Sequence, residues 1–294
     1  MRFLKMAAVA GAFALGAGAV VAGGVTHPAG AQAVTPAENA QVRAVPRYDH
    51  VVVALFENKN YPDIASGSKA PYFQSLAGQG ALFTQSFGVT HPSQPNYIAL
   101  FSGSQQGVTG DSCPNSFGTK GNLGQQLLDA NLTFKGYSEG LPSTGYTGCG
   151  SGRYARKHAP WTNFSNVPAA LQVPFSQFPT DYGKLPTVSF VVPDMCDDMH
   201  DCSIGTGDSW TKSHLDSYAQ WAKSHNSLLI TSFDEDNFTS VNQIYTSFVG
   251  QGVTAGKYAE KVDHYRILRT LENMYGLPAL GQAASREPLT DIWG

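Results

Sequence analysis

The chain has 294 residues, a formal net charge of −3 at pH 7 and 14% charged residues. Without a short leader it would keep about 260 residues, a length that fits one large α/β domain better than two. The slightly negative charge and the lack of a long basic run argue against nucleic acid or a polybasic membrane contact as partners.

The N-terminal residues have the composition of a secretory leader. Arg2 and Lys5 precede an apolar stretch, and Ala31-Gln32-Ala33 is a small-x-small cleavage site. An uncleaved membrane anchor is the alternative, but the stretch is rich in glycine and alanine and poor in leucine. We therefore expect a signal peptide over residues 1–33, a flexible lead-in over 34–47 and one domain over 48–294. The processed chain is expected to be secreted, monomeric and without stable membrane insertion.

The first half of this domain predicts strands that alternate with helices. His50–Phe56 is a continuous apolar run, which indicates a strand buried on both faces. The other elements predicted here are helices over Pro71–Ala77, Asn96–Phe101 and Asn122–Ala130, the last capped by Asn122, and a strand over Leu132–Tyr137.

The second half begins with a long segment, Leu141–Pro186, that has little periodicity and is interpreted as an excursion over the functional face. Beyond it we predict strands over Thr187–Val192, Ser227–Phe233 and Ile244–Val249, and helices over Asp208–Ser224 and His264–Tyr275. Alternating strands and helices predict a single α/β domain with a mainly parallel sheet and helices on both faces.

Hard oxygen donors directly follow two of the predicted strands. Glu57 and Asn58 come after the first, and Asp234 and Glu235 come after Ser227–Phe233. Burying several carboxylates together without a cation is costly, because like charges repel and each loses its hydration. An all-oxygen set favours Ca²⁺, Mg²⁺ or Mn²⁺ over Zn²⁺. The alternative for Asp234-Glu235-Asp236 is an ordinary acidic turn.

Ser93 precedes a predicted helix, where free backbone amides and the helix dipole favour an anionic phosphoryl group. A serine hydroxyl needs a base or a metal to become a nucleophile. The alternative is that Ser93 only caps the helix. The pattern Gly-x-Ser-x-Gly is absent from the sequence, so an α/β-hydrolase nucleophile elbow is not supported.

Two histidines are candidates for contacting phosphate and protonating a leaving group, because imidazole titrates near neutral pH. His200 lies in the acidic loop Asp197–Asp201, and His264 follows Asp263 at a helix start, where a cap or surface role is the alternative. One dense basic group could meet an anionic substrate or be solvated surface; it consists of Arg153, Arg156, Lys157 and His158.

Four cysteines in an exported chain predict two disulfides with three connectivities, of which the local pairs Cys113–Cys149 and Cys196–Cys202 are favoured. The second pair would close a short loop around Asp198 and His200. CxxC spacing is absent from the sequence, which argues against a thiolate zinc site.

Several stretches together resemble the phosphoesterase family of secreted acid phosphatases and bacterial phospholipases C, a branch of the alkaline phosphatase superfamily. The likeness runs from about His50 to Gly294. Its most specific stretches are His91–Tyr97, Tyr154–His158, Asn163–Pro168, Asp198–Asp201, Asp234–Asp236, His264–Tyr265 and Thr290–Gly294.

The resemblance implies an alkaline-phosphatase-like α/β core and a role for each matching residue. Ser93–Asn96 looks like the Thr-Phe-Pro-Asn motif of nucleotide pyrophosphatases, which implies Ser93 rather than Thr90 as nucleophile. The residues implied as metal ligands are Glu57, Asn58, Asp234 and Glu235. His200 and His264 match the family's two phosphate-facing histidines. Further substrate contacts are expected from His91, Asn96, Lys157 and His158.

The chain departs from the family in two ways. Phe56 stands where many members have the first glutamate of Glu-Glu-Asn, and the superfamily's two-metal ligand pattern is not reproduced, which favours one ion. We therefore expect a secreted, metal-assisted phosphomonoesterase with a phosphoserine intermediate, and the likeness extends its expected substrates to phosphoinositides phosphorylated at the 3-position. A phospholipase C-type phosphodiesterase is the first alternative. A non-catalytic, calcium-stabilised surface protein is the second.

Overall fold

The structure is a computed structural model that describes residues 44–294. The predicted signal peptide and most of the predicted lead-in lie outside the described residues. Residues 44–294 pack as one unit. Within this range no helix has the length and apolar character needed to cross a membrane.

The helices and strands alternate through most of the chain. In order they are β1 (His50–Phe56), α1 (Tyr61–Ala65), α2 (Pro71–Gln79), β2 (Ala81–Phe87), α3 (Ser93–Ser102), α4 (Leu123–Asp129), β3 (Phe134–Ser138), β4 (Gly150–Ser151), β5 (Tyr154–Ala155), β6 (Gln172–Pro174), β7 (Val188–Val192), α5 (Ile204–Ala222), β8 (Ser227–Phe233), β9 (Thr246–Gly250), β10 (Gly256–Asp263) and α6 (His264–Tyr275).

Eight strands form one sheet in the order β10-β2-β9-β8-β1-β7-β3-β6, and β4 and β5 form a separate hairpin. Within the large sheet only β9 runs antiparallel to its neighbours. Alternate side chains of β1 enter two hydrophobic cores, one packed with α3, α4 and α6 and the other with α2 and α5. The predicted mainly parallel sheet with helices on both faces is confirmed.

Most predicted elements are present, but the bounds of some differ and two strands were not predicted. β1, β8 and α6 have the predicted bounds. Helix α5 begins at Ile204 rather than Asp208, because the Ser203 side chain caps it by accepting a hydrogen bond from the Thr206 N–H. The strand predicted over Ile244–Val249 begins at Thr246, and strands β2 and β10 were not predicted. The long segment 141–186 includes three short strands and several 3₁₀ turns.

The strand register decides which side chains meet at the carboxyl edge of the sheet. Phe56 pairs with Phe233 across β1 and β8, so Glu57 and Asp234 leave the sheet side by side. The Asp234 N–H donates to the Phe56 carbonyl at 2.9 Å, and the Glu57 N–H donates to the Asp198 carbonyl in the loop after β7 at 2.8 Å. The ends of β8, β1 and β7 therefore supply neighbouring side chains, as open parallel sheets do at their ligand sites.

Candidate active site

Ser93 is the first residue of α3, and its hydroxyl lies between two carboxylates. Its Oγ is 2.8 Å from Glu57 Oε2 and 3.1 Å from Glu235 Oε1. The side chain is buried, as is the whole of α3. The predicted meeting of this hydroxyl with the strand-end acids is therefore present in the structure.

Glu57 is held from its other side by a closed group of aromatic and charged side chains. The Tyr97 hydroxyl donates to Glu57 Oε1 at 2.6 Å, and His158 Nε2 lies 2.9 Å from the same oxygen. His158 Nδ1 lies 3.2 Å from Asp198 Oδ2, and the His158 ring stacks on Tyr97 with centroids 4.9 Å apart. Glu57 Oε1 thus contacts Tyr97 and His158, and Oε2 faces Ser93.

The charges of this group favour an ionised Glu57 and a protonated His158. Burial by itself raises the pKa of Glu57, but the positive charge of His158 and the Tyr97 hydrogen bond lower that pKa to about 2. Burial by itself lowers the pKa of His158, but the charges of Glu57 and Asp198 raise it to about 10. Ligand atoms of these three residues lie within 4.8 Å of one another, as at a metal site. Both nitrogens of His158 face carboxylates, so we interpret the group as an imidazolium between two carboxylates.

Glu235 contacts His91, a partly exposed histidine at the solvent side of the site. Its Oε2 is 2.5 Å from His91 Nδ1, and His91 Nε2 is 3.0 Å from the Thr239 carbonyl. The His91 side chain is 25% exposed, whereas that of His158 is 1% exposed. Burial raises the pKa of Glu235 to about 7, against the opposing hydrogen bonds from His91 and Ser93. His91 thus orients Glu235; the substrate contact expected for His91 stays a prediction.

Three buried oxygens on strand-end and loop residues of the site lack hydrogen-bond partners among residues 44–294: Asn58 Oδ1, Asp234 Oδ2 and Asp198 Oδ2. The Asn58 N–H occupies the other Asp234 oxygen at 3.1 Å. Burial and the charges of Glu57 and Glu235 raise the pKa of Asp234 well above its usual range. Unpartnered oxygens among converging carboxylates fit a divalent cation, since its charge would satisfy them together. Asn58 and Asp234 therefore have free oxygens that fit the implied ion, and the full set of four ligands stays a prediction.

His200 and Lys157 lie next to His158, and the His158 and His200 ring centroids are 6.2 Å apart. His200 Nδ1 is 2.7 Å from Asp201 Oδ1, and its Nε2 is 3.5 Å from Lys157 Nζ. The Lys157 ammonium also donates to Asp111 Oδ2 at 2.9 Å. Asp111 Oδ1 accepts a hydrogen bond from the Gln94 N–H in the first turn of α3, at 2.9 Å. Asp111 thus ties Lys157 to the helix that carries Ser93.

His264 lies behind Asp234. Its Nε2 is 2.6 Å from the Asp234 carbonyl, so Nε2 carries the proton. Its Nδ1 is buried and has no hydrogen-bond partner within the described chain. Burial lowers the pKa of His264. A neutral imidazole that is fixed in this way is poorly suited to donate a proton. The catalytic role expected for His264 stays a prediction.

Asn96 is fully engaged with backbone of the loop that precedes α3. Its Oδ1 accepts hydrogen bonds from the Val89 and Thr90 N–H groups at 2.9 and 3.0 Å. Its amide donates to the Thr90 and Pro92 carbonyls at 2.8 and 3.2 Å. These contacts shape the loop that delivers Ser93. A substrate contact of Asn96 stays a prediction.

Both predicted disulfides are confirmed, Cys113–Cys149 and Cys196–Cys202. The second spans only six residues and closes the loop that carries Asp198 and His200. In this loop Asp198 Oδ1 accepts a hydrogen bond from the His200 N–H at 2.7 Å. The bridge thus constrains a functional segment.

Sequence reasoning missed three residues of the site. Tyr97 follows Ser93 by four residues and therefore lies on the same helix face, a spacing that could have indicated it. Lys59 adjoins Asn58, and its ammonium donates to the Met199 carbonyl at 2.7 Å across the site. Asp111 lies in a loop with no recognisable pattern around it, and only the tertiary fold brings it to Lys157.

The fold of residues 44–294 is shared with solved structures of other proteins. A protein of the alkaline phosphatase superfamily from Vibrio parahaemolyticus superposes with a TM-score of 0.56 over 84% of this chain and 72% of its own, at 12% identity. The lipoteichoic acid synthase LtaP of Listeria monocytogenes superposes with a TM-score of 0.52 over 85% and 77%, at 10% identity. The fold is that of the alkaline phosphatase superfamily.

Sequence comparison narrows the class. The profile of the phosphoesterase family matches residues 64–278. A phosphatidylinositol-3-phosphatase of Mycobacterium tuberculosis is 51% identical over 253 residues, which cover 85% of each chain. An acid phosphatase of Aspergillus fumigatus is 29% identical over 276 residues, which cover 85% of this chain and 59% of that relative. The chain belongs to the phosphoesterase family.

Proposed function

We propose that this chain is a metal-assisted phosphomonoesterase in which Ser93 is the nucleophile. The observation that carries the proposal is the position of the Ser93 hydroxyl at a helix N-terminus, 2.8 and 3.1 Å from two strand-end carboxylates. The relatives named phosphatases favour a monoester substrate over a diester. They also favour an enzyme over a non-catalytic calcium-stabilised protein.

Ser93 Oγ attacks the phosphorus in line with the leaving oxygen, and the hydroxyl proton passes to a neighbouring carboxylate, Glu57 or Glu235. The bond from phosphorus to the leaving oxygen breaks, and a phosphoserine forms. Water then hydrolyses that ester, which releases inorganic phosphate and restores the hydroxyl. The N-terminal end of α3 favours the negative charge of the phosphoryl group.

The proposed ligands of one divalent cation are Glu57, Asn58, Asp234 and Glu235. When bound, the ion would lower the pKa of the Ser93 hydroxyl and polarise a phosphoryl oxygen. The all-oxygen donor set favours Ca²⁺, Mg²⁺ or Mn²⁺. Calorimetric titration of the chelated protein with each ion tests this set, and the matched variant Asp234→Asn should bind at least about tenfold more weakly.

His200 is the better candidate to protonate the leaving alcohol. Asp201 fixes Nδ1 of its ring, and the Nε2 edge is beside Lys157, where an anionic substrate would meet the ammonium group. His264 has its Nε2 proton committed to the Asp234 carbonyl. We therefore propose His264 as a positioning residue for Asp234 rather than as the acid.

Phosphoinositide is the proposed natural substrate class, because the relative with 51% identity is named a phosphatidylinositol-3-phosphatase.

Secretion is proposed as well. Its support is the pair of disulfides, since such bonds persist in oxidising compartments. A monomeric state stays a prediction.

The test is hydrolysis of p-nitrophenyl phosphate by Ser93→Ala, with Thr90→Ala as matched control. We expect turnover of Ser93→Ala to fall at least about 10⁴-fold with its melting temperature retained, because the nucleophile is lost. Thr90→Ala should keep its activity, and acid-quenched wild type should carry phosphate on Ser93 by mass spectrometry. Substantial residual turnover by Ser93→Ala would show that another group attacks. Preferential cleavage of p-nitrophenyl phosphorylcholine would instead support the phosphodiesterase alternative.

A further inference from the structure

The loop between β8 and β9 carries an unusual pair of apolar side chains. Phe238 is 62% exposed and Val241 is 61% exposed, and no other large hydrophobic side chain of residues 44–294 is comparably exposed. A single exposed apolar residue is normal on a protein surface, but this pair lies on one short loop. We call Phe238 and Val241 the apolar tip.

The backbone of the loop that carries the apolar tip is strained at Phe238 and is fixed by side-chain hydrogen bonds. Phe238 has a φ of 57°, a left-handed conformation that is uncommon and strained for a bulky residue. The Thr239 N–H donates to Asp236 Oδ1 at 2.8 Å, and the Asp236 N–H donates to Asn242 Oδ1 at 2.9 Å. The loop thus keeps a strained aromatic exposed to water, where it contributes little to folding.

The apolar tip adjoins the candidate active site. The Phe238 ring stacks on His91 with centroids 5.0 Å apart, and His91 contacts Glu235, which contacts Ser93. Asn242 also donates to the Thr90 carbonyl at 3.0 Å, so the loop is tied to the segment that precedes Ser93. Whatever the apolar tip contacts will be held close to the reacting hydroxyl.

We propose that the apolar tip inserts into the surface of a phospholipid bilayer that presents a phosphoinositide substrate. This inference rests on the proposed phosphatase function and adds how the enzyme reaches a substrate anchored in a membrane. Amphipathic and aromatic side chains at a protein tip bind the interfacial region of a bilayer in proportion to the apolar area they bury.

A bilayer fits these observations better than a protein partner does. Two side chains expose far less area than the roughly 800 Å² per partner of a stable protein interface. Val241 of the apolar tip and the basic residue Lys261 line the same cavity, which has a volume of about 650 Å³. The ammonium group of exposed Lys261 would meet lipid phosphates, while Arg286 on the same cavity is already paired with Asp263 at 2.7 Å.

The experiment measures sedimentation of the full chain with phosphatidylcholine vesicles, with and without phosphatidylinositol 3-phosphate, in a Ser93→Ala background that leaves the lipid intact. Phe238→Asn removes the ring and suits the left-handed backbone, and Val241→Ser removes the second apolar group. We expect the double variant to bind vesicles about tenfold more weakly, since the buried apolar area is lost. Ser240→Ala in the same loop should bind as the parent does.

The same substitutions with Ser93 intact separate this proposal from the proposed function. Val241→Ser should hydrolyse p-nitrophenyl phosphate as wild type does but hydrolyse vesicle-borne lipid several-fold more slowly. Unchanged vesicle binding by the double variant would overturn the proposal and favour a protein partner. A tenfold higher KM for p-nitrophenyl phosphate in Val241→Ser would also overturn it and assign the loop to substrate contact. Wild type that binds vesicles but hydrolyses neither substrate would refute the phosphatase function alone.

Discussion

The two carboxylates that contact Ser93 lie in unlike surroundings. Glu57 belongs to an inner side made of Tyr97, His158 and Asp198, all buried and in mutual contact. Glu235 belongs to an outer side made of His91, Phe238 and Thr239, where His91 and Phe238 are partly open to solvent. The same hydroxyl thus contacts two buried carboxylates, one held by buried side chains and the other by a partly exposed histidine. Substitutions on the inner side should affect stability and chemistry, and those on the outer side should affect access.

The largest expected effect comes from replacing the inner histidine. His158→Ala removes the positively charged imidazolium between the buried carboxylates of Glu57 and Asp198. The free energy of unfolding should therefore fall by about 3 kcal/mol. His91→Ala, the matched change on the outer side, should cost less than about 1 kcal/mol because His91 is partly exposed. Denaturant unfolding of both variants measures the difference. Equal losses would refute the division into two sides.

Tyr97→Phe tests the inner side with a single hydroxyl. Loss of the 2.6 Å hydrogen bond to Glu57 should lower stability by about 2 kcal/mol and kcat by about tenfold, since Glu57 is no longer held toward Ser93. Tyr245→Phe is the control, because its buried hydroxyl donates to the Phe73 carbonyl at 2.7 Å, outside the site. The control should lose stability but keep kcat. An unchanged kcat in Tyr97→Phe would mean that Glu57 needs no such support.

Asp111→Asn tests whether the Lys157 ammonium acts in substrate binding. We expect KM for a phosphate ester to rise about fivefold, because the ammonium is no longer oriented by its 2.9 Å partner. Stability should change by less than about 1 kcal/mol, as for most partly exposed ion pairs. Asp181→Asn, which removes the partner of exposed Lys184, should leave KM unchanged. Steady-state kinetics that give a normal KM for Asp111→Asn would exclude the role.

The smallest expected effect concerns a buried carboxylate outside the site. Burial raises the pKa of Glu272 to about 7, above its value in an unfolded chain. The unfolded state therefore binds fewer protons between about pH 4.5 and 7, and stability falls as pH rises through that range. Glu272→Gln keeps the acceptor for the Leu280 N–H. It should gain on the order of 1 kcal/mol over wild type at pH 8.5 and nothing at pH 4.5, by denaturant unfolding; a difference independent of pH would contradict this assignment.

The parts of the fold that follow from local sequence were predictable. β1 and β8 are continuous apolar runs because both faces are buried, and α6 is bounded by the Asp263 cap and Gly276, which adopts a φ of 67°. β10 was missed because most of Gly256–Asp263 faces solvent and its charged residues carry no strand signal. Edge strands form through pairing with a neighbour, which a local pattern does not reveal.

In the candidate site, too, some residues were predictable from the sequence and others were not. Strand ends indicated Glu57, Asn58, Asp234 and Glu235, since carboxyl ends of parallel strands share one edge. The pairing of His158 with Glu57 joins residues far apart in the chain and depends on the course of the 141–186 segment. Asp111 likewise becomes recognisable only once the 3₁₀ turn Arg156–His158 brings Lys157 to it.

The residue-by-residue pairing of β1 with β7 and β8 limits how this chain can vary in length. One residue inserted within His50–Phe56 would turn Glu57 toward the opposite face of the sheet, since successive side chains of a strand alternate. Insertions and deletions should therefore be tolerated at exposed loop positions of the 141–186 segment, such as 142–144, but eliminated from the seven residues of β1. Natural and engineered length variants of this enzyme should obey that boundary.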